Sequence, residues 1–249
     1  MIPIEEIETE FGTVTISKNP DTGALIYKVG GRQQGATDGN GTSLAYYIHA
    51  IFGLLIQAKA HNILMIGGAG CTLGTMLSRA QSKVTIVDVN QASFVVARRH
   101  FGLPDPVICH IAEGELFLRG DTGIYDSIVI DAFHGDFVPP HLKTSEFFGL
   151  VRERLPPDGA VFANILVQND FDGCADRLAK AMKSAWPDVR VLDTAGKRDR
   201  NAIVMAGRVS GLREPELLLR PEIDAKAIKN ELARLQFRPW KASRWDFDG

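Results

Sequence analysis

The sequence predicts an α/β fold in which a mainly parallel sheet ends in an antiparallel hairpin and is preceded by a small β cap. Between residues 62 and 206, short apolar runs alternate with helical patterns, and three runs are apolar without alternation. Such runs are typical of strands buried on both faces of a parallel sheet. The last two runs are separated only by residues 193–201, too few for a crossover helix, so we expect an antiparallel hairpin. This combination is typical of the methyltransferase-type Rossmann fold and not of the dehydrogenase type.

The predicted elements divide the chain into segments. Residues 13–16 and 25–29 are β-like runs joined by a turn with Pro, Asp and Gly, and they predict an N-terminal β cap over residues 1–42. A Rossmann-like domain is predicted over residues 43–208, and it begins with a helix at 43–58. Its predicted strands are 63–66, 84–87, 107–111, 127–130, 161–165, 189–192 and 202–205, and its other predicted helices include 91–100, 141–154 and 173–186.

The remaining segment, residues 209–249, is predicted to be a polar linker followed by a helix over residues 224–235. Ile228, Leu232 and Leu235 recur at helical spacing and give this helix one apolar face. A two-stranded cap is marginally stable by itself. We therefore expect the cap and the apolar face to support a homodimer or a larger homo-oligomer.

Composition excludes several classes of protein. Hydrophobic residues make up 45% of the 249 residues and the formal net charge is −2, which is ordinary for a globular protein and gives no reason to expect nucleic acid. Three cysteines without paired spacing indicate reduced thiols. The first residues lack a signal-peptide pattern, and the longest apolar stretch, residues 44–60, is interrupted by polar side chains. We expect a cytoplasmic location and no membrane contact.

A glycine-rich turn follows the first strand of the parallel sheet. Gly67, Gly68 and Gly70 come directly after residues 63–66, where backbone amides and a helix N-terminus can approach a ligand. A dinucleotide fingerprint would place another glycine three residues after Gly70, and this chain has Leu73 there. The mismatch favours an adenosyl sulfonium ligand over NAD. The alternative is a turn that serves the fold alone.

An acid follows each of the next two strands. Asp88, with Val89 after it, ends the second strand, where a carboxylate can accept hydrogen bonds from both ribose hydroxyls. The alternative role is to cap the following helix, which Asn90 can do instead. Glu113 and Gly114 follow the third strand, where the acid can accept from the adenine amine. The alternative is a helix-start charge, which the next acid along the chain could equally provide.

Asp131 ends the fourth strand and opens a loop that carries His134 and Asp136. Ligands of open α/β sheets bind at this edge, and a loop with two carboxylates and a histidine is costly unless it is used or well solvated. The alternative is an Asx-turn with surface charges. The histidines on either side of Asp136 lack a recognisable ligand spacing, so we expect no metal.

Taken in order, these residues resemble the spermidine synthase (polyamine aminopropyltransferase) family over residues 10–206. The residues that carry the resemblance are Gly30-Gly31-Arg32-Gln33, the glycine turn, Asp88, Glu113-Gly114, the strand from Tyr125 to Asp131, Phe147-Phe148 and Leu155-Pro156-Pro157-Asp158-Gly159. The chain looks most similar to a divergent spermidine synthase-like branch, whose loop reads Asp-Ala-Phe-x-x-Asp.

The resemblance implies transfer of an aminopropyl group from decarboxylated S-adenosylmethionine to an amine, with methylthioadenosine released. Gln33 or Gln34 would close over this co-substrate, and no prosthetic group is implied. Asp131 matches the proton-accepting carboxylate of the family. His134 and Asp136 would contact the small-molecule amine.

Three departures from the family pattern concern the acceptor. The aspartate that the family has inside the glycine turn is replaced by Ala69 or Gly70. The second acid that the family has in the loop is replaced by His134, and the Tyr-His-Glu triplet of the early helix has no clear counterpart. A dicationic amine calls for carboxylates at both ends. The acceptor therefore stays open between putrescine and another amine. Two other functions also stay open: an S-adenosylmethionine-dependent methyltransferase, and a protein that binds adenosyl ligands without turnover.

Overall fold

Residues 1–133 and 138–241 are described by the computed structural model, and the first of them form a separate antiparallel sheet. Its four strands are β1 (Ile2–Ile7), β2 (Val14–Lys18), β3 (Leu25–Val29) and β4 (Arg32–Thr37). β2 and β3 match the two predicted runs, whereas β1 and β4 have no counterpart among the predicted elements. β1 is largely exposed and contains a proline and two consecutive glutamates among its isoleucines, and β4 is mostly polar, so neither has the apolar signal of a buried strand.

In the part of the chain that the structure describes, the central sheet contains eight strands. They are β5 (Asn62–Ile66), β6 (Lys83–Asp88), β7 (Ile108–Ile111), β8 (Ser127–Ile130), β9 (Ala160–Val167), β10 (Val189–Asp193), β11 (Arg200–Gly207) and β12 (Gln236–Arg238). The helices are α1 (Tyr46–Gln57), α2 (Thr72–Arg79), α3 (Gln91–His100), α4 (Gly114–Gly120), α5 (Ser145–Glu153), α6 (Cys174–Lys183) and α7 (Ala225–Leu232).

The strand order confirms the predicted fold class. Strands run β7-β6-β5-β8-β9-β11-β10-β12, the pairs from β7 to β9 are parallel, and β11 is antiparallel to both β9 and β10. The hairpin predicted from the short 193–201 connection is therefore present. Along β5, Ile63 and Met65 join one apolar core while Leu64 and Ile66 join another, so helices cover both faces of the sheet.

The C-terminal helix packs against its own chain. α7 contacts α1. At most 3% of the surface of each of Ile228, Leu232 and Leu235 is exposed. The apolar face on which part of the oligomer prediction rests is therefore covered within one chain. The expectation that this face supports an oligomer is wrong, because a helix that packs on its own domain has no apolar face left to contact a second copy.

A further strand follows α7 and has no counterpart among the predicted elements. β12 pairs antiparallel with β10, the outermost of the predicted strands. Arg238 of β12 donates to Asp176 of α6 at 2.8 Å and to Asp193 of β10 at 3.2 Å. A three-residue strand with polar ends has too little pattern to be read from the sequence.

The parallel strands bring their carboxyl ends to one edge of the sheet. β5, β6, β7 and β8 lead there into the glycine turn, Asp88, Glu113 and Asp131 respectively. The described ranges contain no helix that is long and apolar enough to cross a membrane. Ligands of open α/β sheets bind at the carboxyl edge of the parallel strands, and in this protein that edge contains a cavity.

Candidate active site

A cavity of about 380 Å³ lies at the carboxyl edge of the parallel strands, between them and the N-terminal sheet. Its size is within the range of roughly 300–1,000 Å³ typical of small-molecule sites. Eight residues predicted from the sequence line it: Gln34, Gly67, Gly68, Asp88, Val89, Glu113, Gly114 and Asp131. The structure therefore brings together residues that are dispersed over almost a hundred positions of the chain.

Two glycines allow the strand ends to approach closely. Gly67 has a φ of +83°, and a Cβ there would lie 2.4 Å from the carbonyl oxygen of Asp131. A Cβ on Gly114 would lie 2.4 Å from a side-chain carbon of Ile66. Because contacts under 3.0 Å are not tolerated, a side chain at either position would push the floor of the cavity apart.

The carboxylate of Asp88 organises the glycine turn. Its Oδ2 accepts from the backbone N–H of Gly68 at 2.9 Å and its Oδ1 accepts from the N–H of Asn90 at 2.8 Å. Asn90 in turn caps α3 by accepting from the N–H of Ala92, so the helix cap does not need Asp88. Burial raises the pKa of Asp88, and the two backbone hydrogen bonds oppose that rise.

Glu113 is the N-cap residue of α4. It accepts from the backbone N–H groups of Glu115 at 3.0 Å and Leu116 at 2.9 Å, and from Nε2 of His141 at 2.9 Å. Burial raises the pKa of Glu113, but the two backbone donors and His141 outweigh it and leave that pKa below its usual value. Glu115, the alternative helix-start charge, instead pairs with Arg119.

Asp131 is held by side chains from two other elements. Its Oδ1 accepts from Nδ2 of Asn164 in β9 at 2.8 Å, and its carboxyl group is hydrogen-bonded to Tyr47 of α1. Burial raises the pKa of Asp131 to about 6, although both hydrogen bonds act to lower it. Burial also raises the pKa of Tyr47 well above its ordinary value, so this phenol stays neutral and donates.

Tyr47 lines the cavity, although the sequence motifs predict no role for it. The early helix lacks the family triplet, yet its second tyrosine lines the cavity and is hydrogen-bonded to the carboxyl group of Asp131. A tyrosine inside an apolar helical pattern calls for a hydrogen-bond partner. That requirement is the signal in the sequence, although it does not indicate which partner is used.

Four residues predicted for the site are absent from the described lining of the cavity. Gln33 is exposed because alternation along β4 turns it away from Gln34, which does line the cavity. Gly70 lies in the short turn Ala69–Cys71 with a φ of +67° and packs against Phe101, not against the cavity. His134 and Asp136 fall outside the described residues. Further lining residues without a predicted role include Phe11, Tyr27, Arg32, Ser93, Phe133, Pro139, His141 and Leu142.

A second, much smaller cavity lies beside Tyr47 and Asp131. Its volume of about 10 Å³ is room for about one water molecule. Among the described residues that line it, Asp131 is the one acid, and Ala69 is, with Gly70, one of the two residues that the sequence offers in place of the family's aspartate. Across residues 1–133 and 138–241, no group of three His, Cys, Asp or Glu side chains is arranged to hold a metal ion.

Comparison with known proteins links this geometry to a family. No family model matches the chain. A probable polyamine aminopropyl transferase of Bifidobacterium longum is 27% identical over 130 residues, which are 51% of this chain and 29% of that protein. A polyamine aminopropyltransferase of Vibrio vulnificus is 29% identical over 126 residues, which are 48% of this chain and 42% of that protein. The resemblance to the polyamine aminopropyltransferases is confirmed.

Solved structures extend the likeness over most of the fold. A probable spermidine synthase from Corynebacterium glutamicum superposes with a TM-score of 0.75 and 23% identity, covering 96% of this chain and 90% of that one. Spermidine synthase from Thermotoga maritima gives a TM-score of 0.65 at 19% identity, with 92% and 84% covered. Human methyltransferase-like protein 13 in complex with SAH gives 0.52 at 22% identity, with 80% and 95% covered. At these identities the structures establish a shared fold, while the chain matches less than half the length of either curated aminopropyltransferase.

Proposed function

We propose that this protein is an aminopropyltransferase of the spermidine synthase type. The observation that carries the proposal is Asp131, a half-buried residue whose carboxyl pKa is raised to about 6 by loss of solvent around it, beside the glycine turn in a cavity that also presents Asp88 and Glu113. The confirmed resemblance to polyamine aminopropyltransferases supports the same reaction. A spermidine synthase of this fold has also been solved in complex with the transition-state analogue AdoDATO.

The adenosyl part of decarboxylated S-adenosylmethionine suits the end of the cavity formed after β6 and β7. Asp88 would accept from the ribose hydroxyls, because each of its oxygens keeps acceptor capacity beside one backbone N–H. Val89 and Gly114 would flank the adenine, and Glu113 would accept from its amine. Gln34 of β4 lines both cavities and would cover the sulfonium end from the N-terminal sheet.

The chemistry at the Asp131 end needs a base and correct alignment. The acceptor amine loses a proton to Asp131, its nitrogen lone pair forms a bond to the methylene beside the sulfonium, and the carbon–sulfur electron pair leaves with sulfur. Methylthioadenosine departs as a neutral product, so the leaving group needs no metal. With a pKa of about 6, Asp131 is mainly ionised at neutral pH and basic enough to accept a proton.

The residues around Asp131 favour an acceptor that requires few carboxylates. The smaller cavity beside it carries no acid other than Asp131 among the described lining residues. We therefore propose an amine with one cationic group near Asp131, in preference to a compact diamine held by acids at both ends.

Product analysis tests the proposal directly. The purified protein is incubated with decarboxylated S-adenosylmethionine and a panel of monoamines, putrescine, longer diamines and spermidine, and methylthioadenosine release is measured. We expect release with at least one amine and none with the Asp131→Asn variant. If no amine is used while methylthioadenosine still binds in calorimetry, the protein is an adenosyl-ligand-binding protein and the proposal is wrong.

A methyltransferase is the second candidate, and Arg32 is the observation that favours it. The Arg32 side chain lines the larger cavity, and the aspartate of the glycine turn is replaced by Ala69 or Gly70, so a carboxylate-bearing ligand meets a cation and one acid fewer than in the family pattern. Tighter binding of S-adenosylmethionine than of its decarboxylated form, lost in Arg32→Gln, would favour this candidate. The opposite preference would favour aminopropyl transfer.

We also propose a cytoplasmic dimer or larger homo-oligomer. β1 forms an open edge of the N-terminal sheet, with Ile2 54% and Ile4 43% exposed, and sheet edges of this kind pair readily with another chain. Cys71, Cys109 and Cys174 are all free thiols, which suits a reducing compartment. Light scattering at micromolar concentration tests the assembly, and a monomeric mass would contradict it.

A further inference from the structure

A chain of hydrogen bonds connects Asp131 to β9 and then to the neighbouring strand β11. Asn164 of β9 donates from Nδ2 to Asp131, and its own Oδ1 accepts from Nδ2 of Asn201 at 3.0 Å. Asn164 is 1% exposed, and it is absent from the lining of both cavities. Its contact with the cavity is therefore indirect, through the carboxylate of Asp131.

Asp131 and Asn201 together favour one orientation of the Asn164 amide. A carboxylate only accepts hydrogen bonds, so Asn164 must present its NH₂ group to Asp131 and its oxygen away from it. Asn201 meets that oxygen with a donor, which makes the reverse orientation unfavourable. The two asparagines can meet because Asn201 pairs with Leu166 and Ile203 pairs with Asn164 across β9 and β11, so they are diagonal neighbours on one face.

Asn201 is itself held by α1. Its backbone N–H donates to Oη of Tyr46 at 2.9 Å, and Oη of Tyr46 donates to its carbonyl oxygen at 3.1 Å. Tyr46 is the neighbour of Tyr47, the other hydrogen-bond partner of Asp131. One turn of α1 thus supports the carboxylate directly through one tyrosine and indirectly through the other.

We infer that Asn164, oriented by Asn201, is a positioning residue that holds the Asp131 carboxylate for proton acceptance. The inference rests on the proposed function for its chemical meaning. Among the described residues, Tyr47 is the titratable group in contact with Asp131. Charged groups surround the far end of the chain near Tyr46, namely Lys197, Glu231, Asp193 and Arg200.

Direct titration of Asp131 tests the inference without requiring turnover. The carboxyl carbon is followed by NMR in protein labelled with ¹³C-aspartate, and Asp131→Asn assigns the signal. We expect Asp131 of the parent protein to titrate near pH 6. Loss of a hydrogen bond to a charged group should raise that pKa by about one unit in Asn164→Leu. Asn201→Ala should give a smaller rise, because Asn164 then donates in only part of its orientations.

Asn62→Ala is the matched control. Asn62 begins β5 at the opposite edge of the sheet and donates to the carbonyl oxygen of Ile124 at 2.7 Å, so it also loses a side-chain hydrogen bond. It should leave the titration of Asp131 unchanged. An equal shift in this control, or no shift in a folded Asn164→Leu, would overturn the inference. A shift in Asn164→Leu without one in Asn201→Ala would overturn the orienting role of Asn201.

The two proposals can fail separately. If an amine substrate is found, the acid limb of kcat/KM should move to higher pH by the same amount as the NMR titration, whereas a loss of stability alone would lower the rate at every pH. If no amine reacts while the titration still moves, the positioning of Asp131 stands and the aminopropyl transfer fails. If Asn164→Leu does not fold, Asn201→Ala carries the test, and an unchanged titration there overturns the inference.

Discussion

The two ends of the cavity hold their carboxylates in different ways. At the adenosyl end, Asp88 and Glu113 each accept two backbone N–H groups, and their acceptor geometry is part of a turn or a helix cap. At the other end, Asp131 is held by the side chains of Asn164 and Tyr47 in a more buried position. Backbone donors favour the ionised form of a carboxylate and, with His141, keep the pKa of Glu113 below its usual value, whereas at Asp131 burial outweighs two neutral partners and raises the pKa to about 6. The difference separates ligand holding from proton transfer.

The largest expected effect comes from removing the basicity of Asp131. Asp131→Asn should lower kcat for aminopropyl transfer by about 10²–10⁴-fold, the usual range for loss of a general base. Binding of methylthioadenosine should change little, because this product lacks the amine that the base serves. Stopped assays and calorimetry on the same preparation measure both quantities. A parallel loss of affinity would show that the two ends of the cavity are not separate.

The adenosyl end should respond in the opposite manner. Asp88→Ala should weaken methylthioadenosine binding at least tenfold, because a hydrogen bond to a charged group contributes on the order of 1.5–3 kcal/mol. Asp88→Asn is the control, since its amide oxygen can still accept one backbone N–H. Calorimetry compares the variants, and circular dichroism checks that the fold persists. Unchanged affinity in Asp88→Ala would remove this residue from the ribose site.

The comparison also has a signature in stability. The pKa of Asp131 is raised from 3.8 to about 6, so the folded state prefers the protonated carboxyl, and stability present at about pH 4 is lost as pH rises through 6. Asp131→Asn should therefore increase the free energy of unfolding by about 2–3 kcal/mol at about pH 8 and by little at about pH 4. Urea unfolding at both pH values tests this. A variant destabilised at about pH 8 would contradict the burial of an ionised Asp131.

The smallest effect is expected at Glu113. Glu113→Gln keeps one oxygen that can cap α4. It loses the negative charge that interacts with the backbone N–H groups of the first turn and with His141. Stability should fall by about 0.5–1 kcal/mol, as is usual for a weakened cap, and ligand affinity should fall by only a few-fold. Thermal unfolding and calorimetry measure the two changes. A loss as large as that of Asp88→Ala would mean that Glu113 contributes to ligand binding far more than its cap role suggests.

The sequence predicts the acids of the site better than their partners. β8 has the predicted bounds because Ser127 and three apolar residues, all buried, stand between Asp126 and Asp131, and an acid directly after a buried strand marks the ligand-binding edge. Tyr47 and Asn164 carry no such mark, since their approach to Asp131 depends on how α1 and β9 pack in three dimensions. Local patterns therefore identify what ends a strand but not what reaches it from another element.

The short C-terminal strand has a consequence for solubility. Without β12, β10 would present a row of unpaired backbone N–H and C=O groups as the border of a large apolar sheet, which is a template for joining other molecules. Arg238 forms ion pairs with Asp176 and Asp193, so charge interactions as well as backbone hydrogen bonds hold β12 on the edge of β10. A chain shortened before Gln236 should therefore self-associate while its cavity is still intact.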